Sequence, residues 1–224
     1  MPFERAVNYL GHAAIAQEAS RDPYFVLGSM LPDLANMLRV RLPRLDDPRL
    51  TDGVRFHERC DAVFHDLPTF IELNHLALDG LRQLGVSRGP ARAAAHLGTE
   101  FAIDAVLARD PRVASAYVDA LRTGAEAPPS LWSPWVPPPE GLSSLLDHLA
   151  TAGTSIHSVE VARFSTRFGH ALAHRPRLAP TEHELAVMSA FCAEHAQRVA
   201  ERLPVLMVEM RSRLFSAEVE TAPR

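Results

Sequence analysis

Apolar side chains recur along this chain at three- and four-residue intervals and almost nowhere alternate with a period of two. VNYLGHAAIAQEA (7–19) follows that spacing and predicts a helix. Asp22-Pro23 then gives a helix start, with aspartate as cap and proline at the first position, for a segment reaching about Gly28. Pro32 is expected to restart helical structure through PDLANMLRV, and VRLPRLDDPRL (40–50) to form a connecting loop. Thr51 or Asp52 can cap a helix to about His65, and Asp66-Leu67-Pro68 starts another to about Leu84. Ser87 to Pro90 opens a helix to Ala108, and Pro111 one that fades near Gly124. Helices at roughly 141–151 and 156–174 follow. Thr181-Glu182-His183-Glu184 is a capping box for a long final helix that Pro204 should kink. The pattern predicts an all-α fold: a single multi-helix bundle of about eight or nine helices over 1–216, with a frayed end at 217–224.

One stretch interrupts this rhythm. Residues 126–140 enclose APPSLWSPWVPPP (127–139), which holds six prolines and both tryptophans. The prolines suit a stiff linker between domains. The tryptophans suit a loop packed on the helices and rimming a site. Both remain open at this point.

Composition narrows the classes. A chain of 224 residues can build one substantial core, and its 47% apolar content is that of a globular protein. A net charge of −4 gives no basic footprint, so a nucleic-acid partner is not expected. All 23 basic residues are arginine, through genomic base composition or selection for carboxylate and phosphate forks. Two distant cysteines, Cys60 and Cys192, make no disulfide framework. The opening MPFERAVNYLGHAAIAQEAS lacks the pattern of a leader, and no apolar run reaches the ~18 residues of a membrane span. The expectation is a cytoplasmic protein.

The polar positions on otherwise apolar faces carry the chemistry. GVRFHERCDAVFH (53–65) sets His57, Asp61 and His65 four apart, and HLGTEFAID (96–104) does the same for His96, Glu100 and Asp104. Residues four apart share a helix face, about 6 Å further along the axis. His12, with Asn8 one turn before it, and Asp33 add an imidazole and an acid upstream. Gathering carboxylates in a core costs several kcal/mol each unless a cation turns repulsion into attraction. His57 and His65 stand about 12 Å apart along a helix, too far to share one ion through short side chains. The ladder therefore implies two metals, or one metal and a substrate-facing histidine. The imidazole and carboxylate set points to Mn, Fe or Zn, and two such ions suit phosphodiester hydrolysis.

His170-x-x-x-His174 is a further candidate metal pair, without a nearby acid; His148, His157, His183 and His195 sit among polar residues and are expected to be exposed. Arg39, Arg41, Arg44, Arg49, Arg55 and Arg59 cluster around the loop into the first ladder. They form either a solvated surface or a docking patch for an acidic partner or phosphate.

With these motifs in order, the chain resembles the bacterial acyl carrier protein phosphodiesterases, helical relatives of the HD-domain metal hydrolases. Asn8-Tyr9-Leu10-Gly11-His12 is similar to the family's N-F-L-A-H opening, and Gly28 to Asp33 to its G-N-x-x-A-D segment. Gly53-Val54, His57 and Asp61 match its G-I-x-x-H-R-x-I-D segment, Glu100 to Leu107 its D-x-x-x-D-H-F-L helix, and ALAHRPRL (171–178) its Arg-Pro-Arg-Leu stretch. Departures are His65 for the family's second aspartate, or its displacement to Asp66, Ala105 for a histidine and Glu58 for an arginine. The order His12, Asp33, His57, Asp61, His96, Glu100 also resembles, more loosely, the ligand pattern of zinc-dependent phospholipase C, which accounts for His96.

The first resemblance implies an HD-domain-like bundle and an enzyme that hydrolyses the phosphodiester joining phosphopantetheine to the serine of acyl carrier protein. Mn2+ is the first cofactor implied, with Zn2+ or Fe2+ as alternatives. The residues read with both resemblances make His12, Asp33, His57, Asp61, His96 and Glu100 the expected metal ligands, with His65 and Asp104 as catalytic groups. Arg41, Arg44, Arg55 and Arg59 would receive the acidic carrier helix. A related phosphoesterase and a non-catalytic helical binding protein are the alternatives.

Overall fold

Four helix starts trace to a side chain that accepts from first-turn N–H groups, which have no acceptor within the helix. The computed structural model describes residues 9–135, 141–172 and 175–216. Among them α1 spans Tyr9–Ala19, α2 Pro23–Met37, α3 Pro48–Phe64, α4 Pro68–Gln83 and α5 Arg88–Leu107. Then come α6 (Pro111–Ala125), α7 (Leu142–Ala152), α8 (Val161–Leu172) and α9 (Glu182–Phe215), with 3-10 turns at Pro129–Trp132 and Gly153–His157. The described residues hold no strand, and the protein is all-α. No described helix is long and apolar enough to cross a membrane.

Asp22 accepts from the Tyr24 amide at 2.9 Å at the start of α2, and Asp110 from that of Arg112 at 2.9 Å at the start of α6. The start of α3 differs from expectation. The helix begins at Pro48, before Thr51 or Asp52, because Asp47 accepts from the Arg49 and Leu50 amides at 2.9 and 3.3 Å. Pro32 likewise does not divide α2, which runs through it. Proline removes one helical N–H and crowds the carbonyl four residues before, a cost of about 3 kcal/mol. Buried Val26, Leu27, Met30, Leu31 and Leu34, at about 1.5–3 kcal/mol each, outweigh it. Thr181 and Glu184 form the capping box of α9, which continues across Pro204 to Phe215.

Packing groups the chain into two compact units, the dividing lines falling within α3, within α5 and after Ser158. The first comprises Met1–Glu58 and Asp104–Ser158. In it α1 packs on α2 and α6, α2 on α6, and α6 on α7, around Leu10, Leu27, Leu34, Tyr117 and Leu146. The described part of the Pro/Trp stretch, residues 127–135, belongs to this unit and packs on it. Trp132 is buried, and Ser133 exchanges hydrogen bonds with Asp46 through backbone (2.8 Å) and side chain (2.6 Å). Residues 136–140 lie outside the described ones. The second unit comprises Arg59–Ile103 and Val159–Arg224. There α4 and α8 both pack on α9, around Phe101, Phe164, Phe168, Cys192 and Val199. The frayed end expected at 217–224 and the Asn8 and His174 positions lie outside the described residues.

Within the first unit, α2 and α3 meet backbone to backbone. A Cβ on Gly28 would collide with the Leu50 carbonyl, and one on Gly53 with the Phe25 carbonyl while standing 2.8 Å from Gly28 Cα. Only hydrogen fits at either position. This contact places the turn of α3 that carries His57 beside residue 29 of α2.

Candidate metal centre

The first ladder does not serve one place. In the first unit His57 Nδ1 lies 2.9 Å from the Ser29 carbonyl. A carbonyl can only accept, so in the neutral ring Nδ1 carries the proton and Nε2 keeps its lone pair. The ring of His12, from α1, lies 3.9 Å from that of His57. Its Nε2 is 3.9 Å from Oδ2 of Asp33, on α2. His12 and His57 are 6% exposed and Asp33 3%, so all three sit in the interior. Asp61 follows His57 by one turn of the uninterrupted α3 and is half-buried.

In the second unit His65, just past the end of α3, turns its Nδ1 to the Asp61 carbonyl at 3.0 Å and is held in the same tautomer when neutral. Its ring lies parallel to that of His96, 6° apart in plane with centroids at 5.1 Å. Both Nε2 atoms approach one oxygen, Glu100 Oε1, at 3.5 Å from His65 and 3.2 Å from His96. Glu100 is 1% exposed, and its second oxygen, Oε2, meets no hydrogen-bond donor among the described residues. Phe70 meets both imidazoles near perpendicular, with centroids at 5.5 Å from each.

Charge follows from this geometry. Burial opposes protonation of His65, but the adjacent Glu100 carboxylate and the Asp61 carbonyl outweigh it and raise the pKa to about 9. Burial also opposes charge on Glu100, while His96 and His65 together hold its carboxyl below the usual range. Without a cation the trio is thus an imidazolium beside a carboxylate, and a cation binding there displaces a proton. Both cysteines are buried and their thiols are pushed up by burial, so neither supplies a thiolate. Two imidazoles with a carboxylate form a donor set for Zn, Mn or Fe(II).

The second ladder also divides. Asp104 does not join His96 and Glu100. In the first unit its Oδ1 accepts from the Gly11 amide at 3.0 Å, and its Oδ2 lies 3.3 Å from Nδ1 of His157, both side chains being fully buried. His157 was expected at the surface, and the structure corrects this: it is 1% exposed. It lies on a 3-10 turn after Gly153, where no helical register signals which face is buried. His170, His148 and His183 are exposed.

His195 is the second correction. It lies on α9 at 3% exposure, stacked on Phe191 at 13°, with neither ring nitrogen hydrogen-bonded among the described residues. The apolar stripe Met188, Cys192, Ala196, Val199 and Leu203 runs beside it and was the signal available in the sequence. Burial, with Arg198 nearby, pushes its pKa down to about 4. The unfolded chain therefore takes up this proton first, near the usual 6.5, and stability falls as pH drops from there to about 4. The full effect is at most about 3 kcal/mol. His195→Met should accordingly flatten the acid limb, which urea midpoints at pH 7 and pH 4.5 would show; equal acid losses in both proteins would remove His195 as the cause.

Of the arginines, Arg55 pairs with Asp52 at 3.1 Å and Arg49 with Asp47 at 2.7 Å. Arg59 donates to the Leu214 carbonyl at 3.0 Å, near the end of α9 where basic groups are favoured. Arg41 and Arg44 are exposed on the loop before α3. A scan against family models and searches of curated proteins and of solved structures return no match for this chain.

Proposed function

We propose that this protein is a metal-dependent hydrolase of phosphodiesters. One cation would be held by His12, Asp33 and His57, with Asp61 one turn beyond His57, and another by His65, His96 and Glu100. The observation that carries this reading is Glu100. A wholly buried carboxylate with one oxygen lacking a donor is costly, and a cation shared with two imidazoles removes that cost. Divalent cations bound there would lower the pKa of a water and stabilise the charge of a displaced phosphate. The chain itself supplies orientation. The Ser29 and Asp61 carbonyls fix His57 and His65 in one tautomer each, the outer-shell arrangement that makes an imidazole a directed ligand.

Two substrate classes follow from the two resemblances, the phosphopantetheine linkage of a carrier protein and a phospholipid. The grouping of His65 and Glu100 with His96 favours the second, because His96 has a counterpart only in the phospholipase-like ligand order. Elemental analysis of protein purified without chelator, paired with turnover of bis(4-nitrophenyl) phosphate, tests the class. About two equivalents of Zn, Mn or Fe and cation-dependent turnover are expected. No stoichiometric cation and no turnover with added Zn2+, Mn2+ or Fe2+ would overturn it. Phosphatidylcholine vesicles and holo acyl carrier protein, assayed side by side, then separate the two substrates.

A further inference from the structure

We propose that Asp104 and His157 are positioning residues for His12, acting through the first turn of α1. The role rests on the reading of His12 as a cation ligand. Gly11 lies in that first turn, where amide groups have no acceptor within the helix. Asp104 takes the Gly11 N–H at 3.0 Å, and a negative charge there also suits the positive end of the helix. Asp104 is fully buried, so its other oxygen needs a partner as well, and His157 Nδ1 stands 3.3 Å from it.

His157 is itself held by aromatic edges. Its ring meets that of Tyr9 at 5.2 Å and 64°, and that of Tyr117 at 5.8 Å and 82°. Tyr9 and Tyr117 stack on each other at 6.0 Å. The first turn of α1 is therefore gripped twice from one side, at Tyr9 through ring contact and at Gly11 through a hydrogen bond. His12 is the next residue, and its ring packs 3.9 Å from that of His57. A helix advances about 100° per residue, so modest rotation of this turn sweeps the His12 side chain off its neighbours. The Gly11 N–H belongs to the peptide unit between Leu10 and Gly11, one residue before His12, so holding it holds the helical turn from which His12 projects.

A purely structural cap would lower stability and leave the His12 ring where it is. The test therefore follows the ring itself, in full-length protein with isotope-labelled histidine, the His12 resonance being assigned with His12→Gln. His157→Leu should move the His12 Hε1 resonance. It should also weaken Zn2+ binding about tenfold at the site that His12→Gln removes, the scale seen for outer-shell partners. His157→Asn, whose amide can donate toward Asp104 Oδ2, should restore both to within about twofold. A His157→Leu protein that folds, loses stability and keeps the His12 resonance unmoved overturns the proposal. Should that variant fail to fold, Asp104→Asn is read in the same way, and an unmoved resonance again overturns it. If wild-type protein takes up no Zn2+, the reading of His12 as a ligand fails, and a moved resonance still supports the positioning role.

Discussion

Replacing Glu100 by glutamine should remove about one equivalent of bound cation and lower phosphodiester turnover by about a hundredfold or more, since even outer-shell changes cost 10–100-fold. Glutamine keeps the shape of the side chain but offers a neutral oxygen, so it separates the loss of charge from the loss of packing. Glu100 is 1% exposed, and both imidazoles of its group aim at its Oε1. The thermodynamic signature is as specific as the kinetic one. A ligand bound only by the folded state stabilises it by about 2.7 kcal/mol at a hundred times its Kd. Titrating Zn2+ into wild-type protein should therefore raise its Tm, and Glu100→Gln should lose the share belonging to its group. His57→Ala should lose the other share while keeping that of His65, His96 and Glu100. An unchanged cation content in Glu100→Gln would refute the assignment, because Glu100 is the carboxylate that both imidazoles approach.

How far the sequence disclosed this arrangement depended on which physical signal was local. Spacing of four on an apolar face is local, and it picked out His57, His96 and Glu100, all of which point inward. The impossibility of His57 and His65 sharing one ion is also local, since it follows from the rise of a helix, and each ring indeed belongs to a different group. What joins a ladder to its partner is not local. Asp104 shares a face with Glu100, yet it bonds the Gly11 amide 93 residues away. His157 shows no periodicity to mark it as interior, and its environment is made by Tyr9 and Tyr117 from other helices. Helix boundaries tell the same story. Asp47 caps α3 as Asp22 and Asp110 cap theirs, whereas the sequence pattern points to the nearby Thr51 or Asp52. Pro32 is a local stop signal that lost to tertiary burial on both sides of it. Among the arginines, for which proximity in sequence allows either a solvated surface or a docking patch, Arg49 and Arg55 are tied to aspartates and Arg59 to a helix end.

Gly53→Ala should be among the most damaging single changes in the chain, although it adds one methyl group. Its Cβ would collide with the Phe25 carbonyl and stand 2.8 Å from Gly28 Cα, and backbone cannot rotate away as a side chain can. Relief requires α2 and α3 to separate. Overpacking of a close contact costs about 1–3 kcal/mol when side chains can adjust, and a backbone contact belongs at or above the top of that range. Chemical denaturation should show a loss of about 3 kcal/mol. Separation would also draw His57, one turn beyond Gly53, away from the Ser29 carbonyl that fixes its tautomer at 2.9 Å. Cation affinity at the His12 group should fall with stability in this variant, while the group around Glu100 retains its own. Gly169→Ala is the control of opposite sign. Gly169 lies within α8 with nothing within 4 Å of an added Cβ, and alanine there should stabilise by about 0.5–1 kcal/mol by restricting the unfolded chain. If Gly53→Ala proved as harmless as Gly169→Ala, α2 and α3 could not cross as closely as described, and the placement of His57 would lose its structural cause.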